Sequence, residues 1–283
     1  VVVTGAGRGI GRAHALGFAA AGARVVVNDV GVAADGTGGS AAPAQRVADE
    51  IIAAGGAATA NTDDVADWDG AARLTETALS TYGRLDVLVN NAGFVRDRML
   101  VNLTEDEWDA VLRVHLKGHF APLRHAAAHW RAERKAGSAV DARVVNTSSG
   151  AGLLGSVGQA NYSAAKAGIA ALTLVAAAEL ARYGVTVNAI APAARTRMTA
   201  QTFPELRAEP EDISPLVVWL GSAESAGVTG RVFEVEGGRI GLADGWRHGE
   251  VVDNGARWRP ERLGPVVRDL LARAAPPEPS YGA

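Results

Sequence analysis

Tyr162 and Lys166 stand four residues apart, and Ser149 precedes the tyrosine by thirteen, following the apolar pair Val144 and Val145. If the stretch after about Gly158 is helical, a phenol and an ammonium at i and i+4 share one helix face. An ammonium beside a phenol favours the phenolate and draws a reference pKa of about 10 toward neutrality. Each unit is worth about 1.4 kcal/mol, so neutrality requires roughly 4 kcal/mol from lysine, bound charge and local dipoles. Ser149 could then hold a substrate oxygen for that phenol, which would act as a general acid or base. A Tyr–Lys pair alone also fits the outside of an Ala-rich helix, so the surrounding motifs have to decide.

The amino-terminal run VVVTGAGRGIG, Val1 to Gly11, supplies the second motif. A β-branched segment enters a glycine-rich turn that opens an Ala-rich helix. Glycines let backbone approach a pyrophosphate closely, and a helix start offers free N–H groups and a favourable dipole. A second strand, Arg24 to Asn28, ends at Asp29, eighteen residues past Gly11. A carboxylate there can grip the adenosine ribose hydroxyls. It repels a 2′-phosphate, and no Arg or Lys follows directly, so NAD is expected over NADP.

Thr4-Gly5-x-x-x-Gly9-x-Gly11, Asn90-Asn91-Ala92-Gly93 and Ser149/Tyr162/Lys166 occur in that order. Together they resemble the short-chain dehydrogenase/reductase family over residues 1 to about 240. Within it, VVVNDVG, RDRM, RVHLKGHF, GQANYSAAK and RVFEVEGGRIG look like the (3R)-hydroxyacyl-CoA dehydrogenase domain of peroxisomal multifunctional enzyme type 2, also called 17β-hydroxysteroid dehydrogenase type 4. The resemblance implies a Rossmann-type α/β fold, a doubly wound parallel sheet of about seven strands in the order 3-2-1-4-5-6-7. It implies catalysis by Ser149, Tyr162 and Lys166. For the dinucleotide it implies Gly5, Gly9 and Gly11, with backbone at Arg8 and Ile10, around the diphosphate. Asp29 would bind the ribose, Asp63 the adenine amino group, and Asn91, Ala92 and Gly93 the adenosine side. Tyr162 and Lys166 would also touch the cofactor, and Pro192 and Thr196 would hold the nicotinamide. The chain departs from many relatives at Ala193, where they carry Gly, and at His115, where they carry an Asn of a proton relay. The implied reaction oxidises a secondary alcohol to a ketone, most closely a (3R)-3-hydroxyacyl-CoA, fatty or with a steroid side chain. A hydroxysteroid dehydrogenase acting on the ring is the alternative. A non-catalytic dinucleotide sensor is the alternative of a different class, and it would be free to lose the tyrosine or the lysine. A homodimer or homotetramer is implied as well.

These residues need a sheet to position them. At 283 residues and 48% hydrophobic, the chain can bury one large core, and the alternation of strands and helices continues to residue 240 without a linker. One domain over 1–245 is expected, with a C-terminal extension over 246–283. Val25-Val26-Val27 and Val87-Leu88-Val89 read as parallel strands covered on both faces. Helices are expected near 9–22, 41–54, 67–82, 104–133, 158–183 and 211–220, the fourth opening on a capping box, Thr104 with Glu107. Between Met198 and Asp212 lies the segment that by the resemblance caps the substrate; it is short and broken by Pro204 and Pro210, so an open cleft for a bulky acyl or ring system is expected. In the extension, Leu263, Val266, Val267, Leu270 and Leu271 recur at helical spacing and need a surface to cover them, the body or a neighbouring subunit.

A net charge of −3 gives no argument for nucleic acid or an anionic membrane surface. No cysteine is present, which removes disulfides and thiol catalysis. No stretch reads as a membrane span or a secretory signal, and a cytoplasmic enzyme is expected. His115, His119, His125 and His129 tempt a metal reading, but on a straight helix they span about 21 Å and cannot converge, so no metal is expected. Trp219 is expected in the core, and Trp246 and Trp258 against the tail.

Overall fold

A computed structural model describes residues 1–33, 36–199, 203–243 and 245–282. Strand β1 (Val2–Thr4) leads through the glycine-rich turn into α1 (Gly9–Ala20) and β2 (Arg24–Asn28). Next come α2 (Ala42–Ala53), β3 (Ala57–Asn61), α3 (Trp68–Tyr82) and β4 (Val87–Asn90). The second half runs α4 (Glu105–Leu112), α5 (Gly118–Lys135), β5 (Ala142–Thr147), α6 (Gly150–Leu154), α7 (Ala160–Leu180), β6 (Val185–Pro192), α8 (Pro210–Leu220), β7 (Val232–Glu236), β8 (Arg239–Ala243) and α9 (Pro260–Arg273). The strands form one sheet in the order β3-β2-β1-β4-β5-β6-β7-β8. β1 to β7 are parallel, in the expected sequence. The eighth strand was not expected. It pairs antiparallel with β7 because Gly237-Gly238 forms a two-residue hairpin, with Gly237 at φ 55°.

Because side chains alternate across a strand, each strand feeds two cores. Val3, Val25, Val27, Val89 and Val145 pack with Phe18, Val47, Ile51 and Leu220 on one face. Val2, Val26, Leu88 and Val144 pack with Leu74, Trp130 and Ala177 on the other. The chain switches direction between β1 and β4, and the crevice at the carboxyl ends of such strands is where open α/β sheets bind ligands.

Several expectations are corrected. The single helix over 104–133 is two, α4 and α5, joined by a π-helical turn, Arg113–Lys117. Pro122 supplies the reason: it has no N–H to give Gly118 four residues back, and its ring crowds that carbonyl, so the helix widens just upstream. The capping box is present, Thr104 Oγ1 accepting from Glu107 N–H and Glu107 Oε2 from Thr104 N–H. Ala160–Tyr183 is, by length and composition alone, apolar enough to cross a membrane, contrary to the reading from sequence. Its inner face packs on the sheet and carries Tyr162 and Lys166. Trp219 is 37% exposed rather than core, because it lies on the outer side of α8, and Trp246 projects fully into solvent. No residue of α9 is buried, so the body does not cover its apolar stripe.

Candidate active site

The proposed site residues gather at one edge of the sheet, just past the strand ends. Asp29 follows β2, Asp63 β3, Asn91 β4, Ser149 β5 and Thr196 β6. Ser149 keeps an extended backbone and N-caps α6, its Oγ accepting from Ala151 N–H at 3.2 Å. Tyr162 sits in the first turn of α7, with the Ser149 hydroxyl near enough to its phenol to favour ionisation. Lys166, one turn on, is only 2% exposed; its Nζ donates to the Thr147 carbonyl at 2.6 Å and lies 5.5 Å from the Tyr162 ring centre.

The electrostatics differ from the sequence expectation. Burial pushes the Tyr162 phenol up to about 12, and the Ser149 hydroxyl offsets only part of that. Burial also pushes Lys166 down to about 7. The expected ammonium–phenol coupling fails in the protein alone because the lysine turns its charge to a carbonyl, and desolvation outweighs the rest. His115 lies in the π-helical turn with its ring edge-on to Tyr162, 5.1 Å between centres. Its Nε2 pairs with the Phe94 carbonyl at 2.7 Å, while its buried Nδ1 has no partner among the described residues. Burial and then the charge of Lys166 lower His115 to about 3, so it is neutral at physiological pH.

The glycine-rich turn divides its tasks. A Cβ on Gly11 would fall 2.2 Å from the Gly5 carbonyl, and one on Gly5 2.7 Å from Ala92 Cα. Both glycines therefore serve close packing inside the turn. Gly9, at φ 52°, faces open space, with only the Thr196 methyl at 3.8 Å from where a Cβ would be. No side chain among the described residues caps the start of α1 at Arg8. The free N–H groups of α1 beside an open glycine fit a diphosphate. Arg8 itself turns outward, Nη1 donating to the Val32 carbonyl, and Ile10 is partly buried in the first turn. Asp29 accepts from Gly7 N–H at 2.8 Å and Gly31 N–H at 2.6 Å, which fixes its carboxylate beside the turn. Asn91 does not face open space: its Nδ2 donates to the Thr4 and Gly5 carbonyls, and the N–H groups of Asn91 and Ala92 both reach Thr4 Oγ1. Gly93 is held against His115, whose Cε1 would lie 2.2 Å from a Cβ. Asp63 accepts from Asn61 Nδ2 and Arg73 Nε. Pro192 ends β6, and Thr196 caps a small turn, its Oγ1 accepting from Met198 and Thr199 N–H.

The sequence reading missed several neighbours. Asn161 donates to the Arg96 and Glu107 carbonyls, tying the RDRM loop to α7. Gln159 donates to both oxygens of Asp97, whose carboxyl is raised by burial. Arg98 N–H reaches the Gly158 carbonyl at 2.7 Å, which brings the segment carrying exposed Met99, Leu100 and Val101 to the segment carrying exposed Leu154 and Val157, an apolar rim. Only the adjacency of Asn161 to Tyr162 was readable beforehand. Among the described residues no three His, Asp or Glu groups converge as metal ligands.

Comparison with known proteins gives the family and the fold. A family model described as short chain dehydrogenase matches residues 1–207. The chain is 48% identical over 299 residues to "Hydroxyacyl-CoA dehydrogenase ChsB1" of Mycobacterium tuberculosis, covering 100% of this chain and 91% of that one. It is 45% identical over 244 residues to "Peroxisomal multifunctional enzyme type 2" of Mus musculus, covering 85% of this chain but 32% of that longer protein. A crystal structure of a short chain dehydrogenase from Mycobacterium avium superposes with a TM-score of 0.91 at 67% identity, covering 100% of this chain and 97% of that one.

Proposed function

This chain belongs to the short chain dehydrogenase family, and from that premise we propose an NAD-dependent (3R)-3-hydroxyacyl-CoA dehydrogenase. The observation that carries the reading is the meeting of Ser149, Tyr162 and Lys166 beside an uncapped, glycine-rich helix start. Tyr162 takes the proton of the substrate hydroxyl, and Ser149 holds the same oxygen in line. Lys166 binds the nicotinamide ribose. When bound, NAD supplies the hydride acceptor. Gly9, the free N–H groups at Arg8 and Ile10, Asp29, Asp63, Gly93, Pro192 and Thr196 hold it, while Gly5, Gly11, Asn91 and Ala92 keep the turn tight enough to do so.

The names of two relatives support an acyl-CoA substrate, and the apolar rim of Met99, Leu100, Val101, Leu154 and Val157 suits its acyl chain. Asp29 supports NAD, since a second negative charge on the ribose would meet a carboxylate already fixed by two N–H groups. A homodimer is the matching assembly. The outward stripe of α7, Ala164, Ala167, Ala171, Leu174 and Ala178, is apolar, and a helix apolar all round calls for a partner.

Steady-state turnover of (3R)- and (3S)-3-hydroxyacyl-CoA esters with NAD and NADP tests the proposal. Preference for the 3R ester with NAD is expected, and Asp29→Ala should narrow the NAD/NADP ratio about tenfold or more, one to two charge-assisted contacts being at stake. No turnover with cofactor binding intact would favour a sensor.

A further inference from the structure

The C-terminal segment leaves the body and then comes back to the catalytic serine. Residues 271–280 are exposed throughout, and Pro276, Pro277 and Pro279 stiffen that arm. Tyr281 then becomes partly buried. Its N–H donates to the Gly155 carbonyl at 2.8 Å, just past α6. Its ring lies flat enough on Gly150 that a Cβ there would fall 2.4 Å from Cδ2 and Cε2. Gly150 is the residue after Ser149, and only a glycine admits the ring at this height. The ring also meets Phe203, tilted by 59° with 5.4 Å between centres. Gly282 is pressed on the same phenylalanine, with 2.5 Å between a Cβ and Phe203 Cε1. Phe203 belongs to the short, proline-broken segment between Met198 and Asp212. The phenol of Tyr281 is also near enough to Tyr162 to oppose its ionisation.

An exposed arm ordinarily ends in solvent, because ordering it costs about 1–2 kcal/mol per residue. Here an aromatic contact, a backbone hydrogen bond and a matched glycine offset that cost at one place, next to the reacting oxygen. Tyr281 joins two otherwise separate pieces, the Ser149–Gly155 turn and Phe203, into one aromatic surface. Resting on the dehydrogenase reading above, we infer that Tyr281 is a specificity-determining wall of the substrate cleft. Its ring, with Phe203 against it, is the surface on which a bulky apolar acyl body packs beside Ser149.

The test compares wild type, Tyr281→Ala and Tyr281→Phe on 3-hydroxybutanoyl-CoA and on a 3-hydroxyacyl-CoA bearing a fused-ring body. Tyr281→Ala should raise KM for the fused-ring ester about tenfold relative to the short one, the scale of losing one ring face from an apolar site. The change should fall in KM more than in kcat, and Tyr281→Phe, which keeps the ring, should restore the wild-type ratio. An unchanged or lowered ratio in Tyr281→Ala overturns the inference. If wild type turns over neither ester, the functional reading falls, and hydrogen exchange decides the wall separately. Deleting residues 274–283 should then speed exchange in 150–155 and 203–206, and equal exchange overturns the inference.

Discussion

At Tyr162 the protein keeps a proton that the proposed alcohol oxidation has to remove. With the phenol pushed up to about 12, the resting group is an acid, ready to protonate a ketone, and becomes a base only as hydroxide or local positive charge draws the proton away. Alcohol oxidation is therefore expected to rise with pH by about tenfold per unit in kcat/KM between pH 7 and 9, while ketone reduction stays flat or falls. A flat oxidation profile would place the proton elsewhere. Tyr162→Phe should lose about 10²–10⁴ in kcat while dinucleotide affinity persists, read by titration of fluorescence. Lys166 bears the opposite cost. Its folded pKa, about 7, lies below the ordinary 10.5, so the unfolded chain binds more protons between those values and this group's contribution to stability rises with pH across that window. Below pH 7 the burial of the ammonium costs about 5 kcal/mol, against about 1–3 kcal/mol for leaving the Thr147 carbonyl without its donor. Lys166→Met should thus gain roughly 2–4 kcal/mol at pH 6 and progressively less toward pH 10, while abolishing turnover. Melting curves at both pH values check it; equal shifts would refute the sign.

At the scale of elements, the glycine-rich turn illustrates how two glycines in one motif differ. Gly11→Ala drives a methyl into the Gly5 carbonyl and Asn91 and should cost about 3 kcal/mol or more of stability along with dinucleotide binding. Gly9→Ala meets only the Thr196 methyl, so its cost is the left-handed backbone, about 1–2 kcal/mol. Urea denaturation with dinucleotide titration separates them. Near-equal destabilisation would remove the distinction. The strand-to-glycine-to-helix order was legible in the residues because apolar runs and punctuating glycines are local signals. So was the Tyr–Lys spacing, which a helix fixes by itself. The break at Arg113–Lys117 was not, since the histidines and leucines continue a helical rhythm across it and only Pro122 marks the fault. Tyr281 was illegible because its contact joins segments far apart in sequence. The ionisation of Tyr162 was misread for a related reason: spacing gives proximity, whereas burial depends on everything folded around it.

Across the whole molecule, apolar surface remains on two helices, α7 and α9. Leu174 and Val175 are each 54% exposed on α7, and Leu116 lies beside Gly168, continuing that face toward Phe120. The homodimer proposed above would bury this face about a two-fold axis. Leu174→Glu with Val175→Glu should convert a particle of twice 29.1 kDa or more into the monomer by sedimentation, with the monomer's melting temperature lowered. A wild-type particle already monomeric would leave α7 without this role. The α9 helix offers a separate stripe that its own body leaves uncovered.

The widened turn at Arg113–Lys117 carries one last implication, about tolerance to change in length. It holds a surplus residue, so the helix ahead of it is out of phase with the helix behind by roughly 100°. Dropping one residue there, with Pro122 replaced by Ala so that nothing holds the turn open, would let the two mesh into a single rod. Glu107 and the loop bearing Met99 would swing around its axis, and Asn161 would lose what it grips. The strands and the glycine-rich turn would keep their places. A one-residue deletion with that substitution could thus redraw the entrance to the site while every letter of the catalytic set stays as written.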